Sequence, residues 1–204
     1  MNLELQRLEV GPWPMNCYLV RCPQAGVVAI VDPGDDAGTI LEAVGQLSVG
    51  CILLTHGHPD HVGALEQVRQ VTGAPVGIHP ADAEAWGVEA DFPLLDGMEV
   101  EVGKGRLRVA HVPGHTPGSV CLRLAAQALV GDAIFDGGPG HTESPQALAR
   151  SLVSLGATVF SWPDSTELLP GHGGSTTVGA ERAAFERFLA ADHPPDLCGD
   201  VAWQ

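Results

Sequence analysis

The chain has 204 residues, 45% hydrophobic and 17% charged, which fits one domain with a real core and excludes an intrinsically disordered protein. Ten basic against 25 acidic residues give a formal charge of −15, a field that repels nucleic acid and anionic membrane surfaces. No run reaches the ~18 apolar residues of a membrane span, and residues 1–10, with Glu4, Arg7 and Glu9, lack the apolar stretch of a signal peptide.

Residues 3–10 read as a short strand, with Leu3, Leu5, Leu8 and Val10 apolar, broken by Gly11-Pro12-Trp13-Pro14. Two further β-like runs cover 17–20 and 27–31, the second ending in the turn Asp32-Pro33-Gly34. Ile40, Leu41, Val44 and Leu47 predict a helix over 39–47, stopped by Gly50. Residues 51–55 (CILLT) form a buried-strand run that leads into the richest segment of the chain. A second helix is predicted over 62–71, with Leu65 and Val68 inward and Gly73-Ala74-Pro75 as terminator.

A short strand at 76–78 and a helical turn at 81–86 follow. Residues 98–102 and 107–112 predict a hairpin around Gly103-Lys104-Gly105, then strands at 120–124 and 128–131. Residues 137–144 read as a loop, and 145–155 as a helix with Pro145 in its first position. A strand at 167–169 and a helix at 180–190 close the domain, taken as residues 1–190. Residues 191–204, with Pro194-Pro195, are a tail. Two groups of strands, each followed by helices, make an α+β or α/β pattern.

The five cysteines are an odd count without a C-x-x-C. Cys17, Cys51 and Cys121 sit in apolar runs as core thiols, and Cys22 and Cys198 flank turns. This usage suits a reduced cytosol and predicts a cytoplasmic protein.

Three of the nine histidines fall in His56-Gly57-His58-Pro59-Asp60-His61. At this chain's composition the pattern has a chance of about one in a thousand. Neutral imidazoles and carboxylates are ligands for borderline divalent ions. A tight loop after a buried strand lets His56 and His58 grip one ion, while Asp60 and His61 reach a second. The bland alternative is a polar cap on the next helix with Asp60 as N-cap, which needs no histidines.

Thr55-His56-Gly57-His58-Pro59-Asp60-His61 resembles the T-H-x-H-x-D-H signature of the metallo-β-lactamase superfamily. Val112-Pro113-Gly114-His115-Thr116-Pro117-Gly118-Ser119, Gly131-Asp132-Ala133-Ile134-Phe135 and Leu169-Pro170-Gly171-His172-Gly173 resemble its later landmarks, in order. Val31-Asp32-Pro33-Gly34 matches its early turn. The likeness spans residues 10–190 and is nearest to short glyoxalase II-like hydrolases.

The resemblance implies an α+β fold, a four-layer αβ/βα sandwich. It also implies two divalent metal ions, zinc first, with iron or manganese as alternatives. His56, His58 and His115 would hold one ion, and Asp60, His61 and His172 the other. Asp132 would bridge both, with Asp60 and Asp132 in the catalytic apparatus and Asp32 as an orienting residue behind them. Gly114 and Gly171 are expected to serve by adopting backbone conformations other residues resist. His79 is a candidate for a supporting role. His111 is expected to be packed, His193 lies in the tail, and His141 lies in a loop where substrate would pass.

Two such ions with Asp60, Asp132 and a bridging hydroxide leave a local charge of about +1, inviting a small anionic substrate. The hydroxide would attack a carbonyl while one ion stabilises the oxyanion. Beyond Asp60 there is no evident proton donor, which favours a thiolate leaving group and hence a thioester. Residues 136–146 contain no Lys, Arg or Tyr, so the sequence shows no glutathione-holding cation there. The competing readings are a persulfide dioxygenase-type oxygenase with one iron on His56, His115 and Asp132, a lactonase, and a non-catalytic metal-bound module.

Overall fold

The computed structural model describes residues 3–203. The first half runs β1 (Glu4–Val10), β2 (Met15–Cys22), β3 (Val27–Val31), α1 (Ala37–Val44), β4 (Ser48–Leu53), α2 (Pro59–Val62), α3 (Leu65–Thr72), β5 (Val76–Ile78), α4 (Pro80–Trp86) and β6 (Phe92–Pro93). The second runs β7 (Glu99–Val102), β8 (Gly105–His111), β9 (Val120–Leu124), β10 (Gln127–Gly131), β11 (Ile134–Phe135), β12 (Gly138–Pro139), α5 (Pro145–Ala157), a 3₁₀ turn (Val159–Ser161), β13 (Glu167–Pro170), β14 (Thr176–Thr177) and α6 (Val178–Ala190).

Two six-stranded mixed sheets result, in orders β1-β2-β3-β4-β5-β6 and β14-β13-β10-β9-β8-β7. The parallel steps β3–β4, β4–β5, β5–β6 and β10–β13 each span an intervening helix, as parallel pairing demands. Alternation along each strand builds the layers. Cys17, Leu19 and Ile30 face α1 and α3, where Ile40, Val44 and Val68 are buried. Tyr18, Val20, Ala29 and Val31 face the other sheet, meeting Leu107, Val109, Leu122 and Leu129. Cys121, Ala128 and Val130 of the second sheet turn outward to Leu155, Phe185 and Phe188. This is the expected four-layer sandwich. Strands buried on both faces explain the continuous apolar runs in the sequence.

Several local expectations need correction. The first helix ends at Gly45, which adopts φ 63°, while Gly50 lies within β4. The helix expected over 62–71 begins only at Leu65, set off from the separate turn α2, because the chain breaks to dock on the Pro33–Gly34 turn. There Ala64 N–H donates to the Pro33 carbonyl, and a Cβ on Gly63 would overlap the Gly34 carbonyl. The 137–144 loop contains β12, paired to β11. The two-residue strands β6 and β14 are too short for any periodic signal. Cys17, Cys51 and Cys121 are buried free thiols, as expected.

The tail packs back on the domain. Trp203 is 2% exposed among Phe160, Phe185 and Phe188, and its indole N–H donates to Glu181 at 2.9 Å. Among the described residues, no helix is long and apolar enough to cross a membrane.

Candidate metal centre

The predicted residues converge at one edge of the sandwich, beyond the carboxyl ends of β3, β4, β10 and β13. The loop after β4 carries His56 and His58, and Pro59 opens the single turn that carries Asp60 and His61. The β8–β9 loop brings His115, while Asp132 and His172 follow β10 and β13 directly. Backbone bonds lock these loops together: Val120 N–H to the Thr55 carbonyl, Gly171 N–H to Gly131, and Asn16 N–H to Gly171.

His56 Nε2, His58 Nδ1 and His115 Nε2 form a triangle with sides of 3.1, 3.0 and 3.3 Å. Tetrahedral bonds of ~2.0–2.1 Å to zinc place donor nitrogens about 3.3 Å apart. On the other side, His172 Nε2 lies 3.1 Å from Asp60 Oδ2, and His61 Nε2 completes that group. Asp132 stands between. Its Oδ1 is 3.3 Å from His61 Nε2, and its Oδ2 is 3.7 Å from His172 and 3.8 Å from His115. His56, His61 and Asp132 form a third convergent group that joins the first two. His61 Nε2 and Asp132 Oδ1 are buried without a hydrogen-bond partner, the condition that a bound cation relieves. The donor set and the orphaned atoms fit divalent ions.

The protonation states agree. Burial, with the neighbouring imidazoles, drives His56 well below its usual value and brings His58 down to about 4. His115 is also lowered, chiefly by burial. Three neutral imidazoles therefore offer lone pairs at pH 7. The bond from His172 lowers Asp60 to about 2. Burial opposes a proton on His61, but Asp132 and Asp32 outweigh it and push it up to about 10. These carboxylates hold a positive charge at His61, which a metal ion would supply in place of the proton.

Second partners fix three of the rings. His61 Nδ1 donates to Asp32 Oδ2 at 3.0 Å, leaving Nε2 for the site. Asp32 also accepts from the Thr55 amide and hydroxyl, and it holds a left-handed backbone at φ 52°. His115 Nδ1 donates to the His141 carbonyl and His172 Nδ1 to the Pro14 carbonyl. The orienting role expected of Asp32 is in place. The contribution of His141 is its carbonyl, since its ring faces Asp200 and Glu143.

The N-cap position is His58, and the Asp60 carboxylate meets His172, so helix capping does not explain the motif. Gly114 and Gly171 have ordinary backbone angles, contrary to expectation; space is what they supply. A Cβ on Gly171 would overlap Asp132 Oδ1 and the His61 ring, and one on Gly114 would overlap Ser151. His79 caps α4 and stacks on His111 at 4.1 Å, so it supports that helix instead of the ligands.

Asp82 was invisible in the sequence. It is a buried carboxylate on α4 that accepts from Gly57 N–H at 3.0 Å, Thr116 Oγ1 at 2.7 Å and Gly118 N–H at 2.6 Å. It thereby ties the His56–His58 loop to the His115 loop. No motif marks it, because its partners come together only in the fold. A cleft of about 460 Å³ opens beside His58 and His115, walled by Trp86, Pro117, Ala147 and Arg150. Arg150, which enters from α5, carries no mark in the sequence.

Two mixed sheets sandwiched between helices, with an edge cluster of five histidines and two aspartates, define a metal-site protein of the αβ/βα type. The chain belongs to the metallo-β-lactamase superfamily, whose family description matches residues 10–178. It is 30% identical to the Haemophilus influenzae protein named hydroxyacylglutathione hydrolase GloC, over 89% of this chain and 95% of that one. Among solved structures it resembles TTHA1623 in a di-iron-bound form, with TM-score 0.71 and 34% identity over 87% of this chain and 96% of that one. It also resembles ETHE1 from Myxococcus xanthus, with TM-score 0.79 and 26% identity over 89% and 82% of the two chains.

Proposed function

We propose that this protein is a dinuclear metal-dependent hydrolase that cleaves a thioester or related acyl compound. The observation that carries the reading is the convergence of seven donor residues into two groups joined through His56, His61 and Asp132. His56, His58 and His115 would hold one divalent ion and Asp60, His61 and His172 the second, with Asp132 serving both. Zinc, iron and manganese all suit these ligands. Bound ions of this kind lower the pKa of water towards ~7 and polarise a carbonyl.

The chain's own groups do the rest. Asp32 holds His61 in the tautomer that presents Nε2. Asp82 keeps the two loops of the His56, His58 and His115 group at fixed separation. Trp86 offers a flat apolar wall beside His58, with ring centroids 5.0 Å apart. Arg150 places a guanidinium where a substrate carboxylate would meet it. Asp60 is ionised at neutral pH, and the cleft contains no Tyr, Lys or Cys to protonate a leaving group. A thiolate, with pKa near 8.5, departs without such help. Tyr18 is buried and donates to the Pro170 carbonyl, so a tyrosine-assisted lactone opening has no support.

The likeness to GloC supports the thioester reading. A second reading is an oxygenase with one iron on His56, His115 and Asp132, since His115 Nε2 lies 3.3 Å from His56 Nε2 and 3.8 Å from Asp132 Oδ2. The test is incubation of metal-assayed protein with S-D-lactoylglutathione. Turnover with two metals bound, lost in Asp60→Asn, is expected. Two metals without turnover would redirect the search to other thioesters and lactones. A single iron with oxygen uptake would replace the hydrolase by the oxygenase.

A further inference from the structure

Away from the metal centre, a cleft of about 360 Å³ lies where the end of α5 and the 3₁₀ turn meet the outer face of the second sheet. Arg108 and Arg123 line it, directly opposite one another in the β8–β9 register. Like charges so placed destabilise a sheet unless something neutralises them. Three other arginines have carboxylate partners: Arg69 with Asp91, Arg106 with Glu99, Arg182 with Asp164. Glu99 is the register partner of Arg108, yet its carboxylate is drawn to Arg106. Among the described residues, no carboxylate pairs with Arg108 or Arg123. Arg123 Nε is buried and has no hydrogen-bond acceptor, while its guanidinium lies 5.4 Å from the Trp162 ring centroid.

The end of α5 does not answer this need. The Thr158 carbonyl already accepts from both the amide and the hydroxyl of Ser161. Asp96, also in the cleft, accepts from the His111 amide. Two guanidinium forks at one cleft, one of them over an indole ring, supply the paired N–H donors that bind planar or tetrahedral oxyanions.

We propose that this cleft is a second ligand site, separate from the metal centre, which binds a small organic oxyanion through Arg108 and Arg123. Phosphate monoesters and dicarboxylates share the required chemistry. The inference stands whether or not the hydrolase reading does.

The test is amide and indole NMR on the zinc-loaded protein, titrated with inorganic phosphate or with succinate at constant ionic strength. A saturable shift of the Trp162 indole is expected for one probe, with a Kd below about 1 mM. Arg123→Gln and the exposed Arg108→Gln should each weaken it at least about tenfold. Arg123→Lys should weaken it too, since it keeps the charge but loses the fork. Metal content should be unchanged in all three. Preference for phosphate or succinate identifies which anion the cleft takes. The proposal fails if neither probe gives a saturable shift, or if the shift survives equally in Arg108→Gln, which would assign it to the metal centre.

Discussion

The Gly118 amide donates to Asp82 Oδ1 at 2.6 Å, so a helix beside the site grips the loop that carries His115. Asp82 Oδ2 reaches the Gly57 amide, between His56 and His58. In Asp82→Asn one oxygen becomes an N–H₂, which cannot accept, so either the Gly118 amide or the Gly57 and Thr116 donors lose their acceptor. The substitution should lower metal affinity about 10–100-fold, the range for outer partners of ligands. Because Asp82 touches only the His56, His58 and His115 side, the second group should keep its metal. Cobalt titration with optical spectra would show one affinity falling and the other holding; parallel loss of both would refute a site-selective role.

Gly171 lies against Asp132 and His61 with no room for a Cβ. Gly171→Ala should push the His172 loop outward and break the group formed with Asp60. The expected result is loss of one bound metal with the fold retained, read by elemental analysis beside circular dichroism. Full metal content would show that the loop tolerates a methyl group.

The metal-free protein should be most stable near neutral pH. Below about 6.5 the unfolded chain takes protons that buried His56 and His58 refuse, His58 down to about 4, so stability falls on acidification through that window. His61, raised to about 10, contributes stability that is present below 6.5 and lost as pH rises towards 10. Melting temperatures in chelator from pH 4 to 10 should trace a dome. Added zinc should flatten its alkaline limb, because the metal replaces the His61 proton. A monotonic curve would contradict this account.

Trp203 links the tail to the body of the protein. Trp203→Ala removes its packing on three phenylalanines and its bond to Glu181, a change that costs about 3–5 kcal/mol in a well-packed core. For a chain of this size that is a drop of about 10 °C in melting temperature. The tail also pairs Gly199 with Thr142, next to the His141 carbonyl that orients His115. Weakened metal binding should therefore accompany the lost stability, and scanning calorimetry with a metal assay would measure both.

The sequence alone determined the candidate ligands, because a metal loop writes its donors at short fixed spacings. His56 to His61 lie in one such loop, and His115, Asp132 and His172 each follow a strand within a recognisable turn. It also determined most elements, since strands buried on both faces and amphipathic helices leave periodic apolar patterns. The fold decided what depends on contacts across the chain. The break at Gly63, the clamp at Asp82, the cation at Arg150 and the burial of Trp203 all rest on partners 15 or more residues away. Gly114 and Gly171 make the same point. Their presence was legible, but the reason for it, room for Ser151 and for Asp132, exists only once distant segments are packed together.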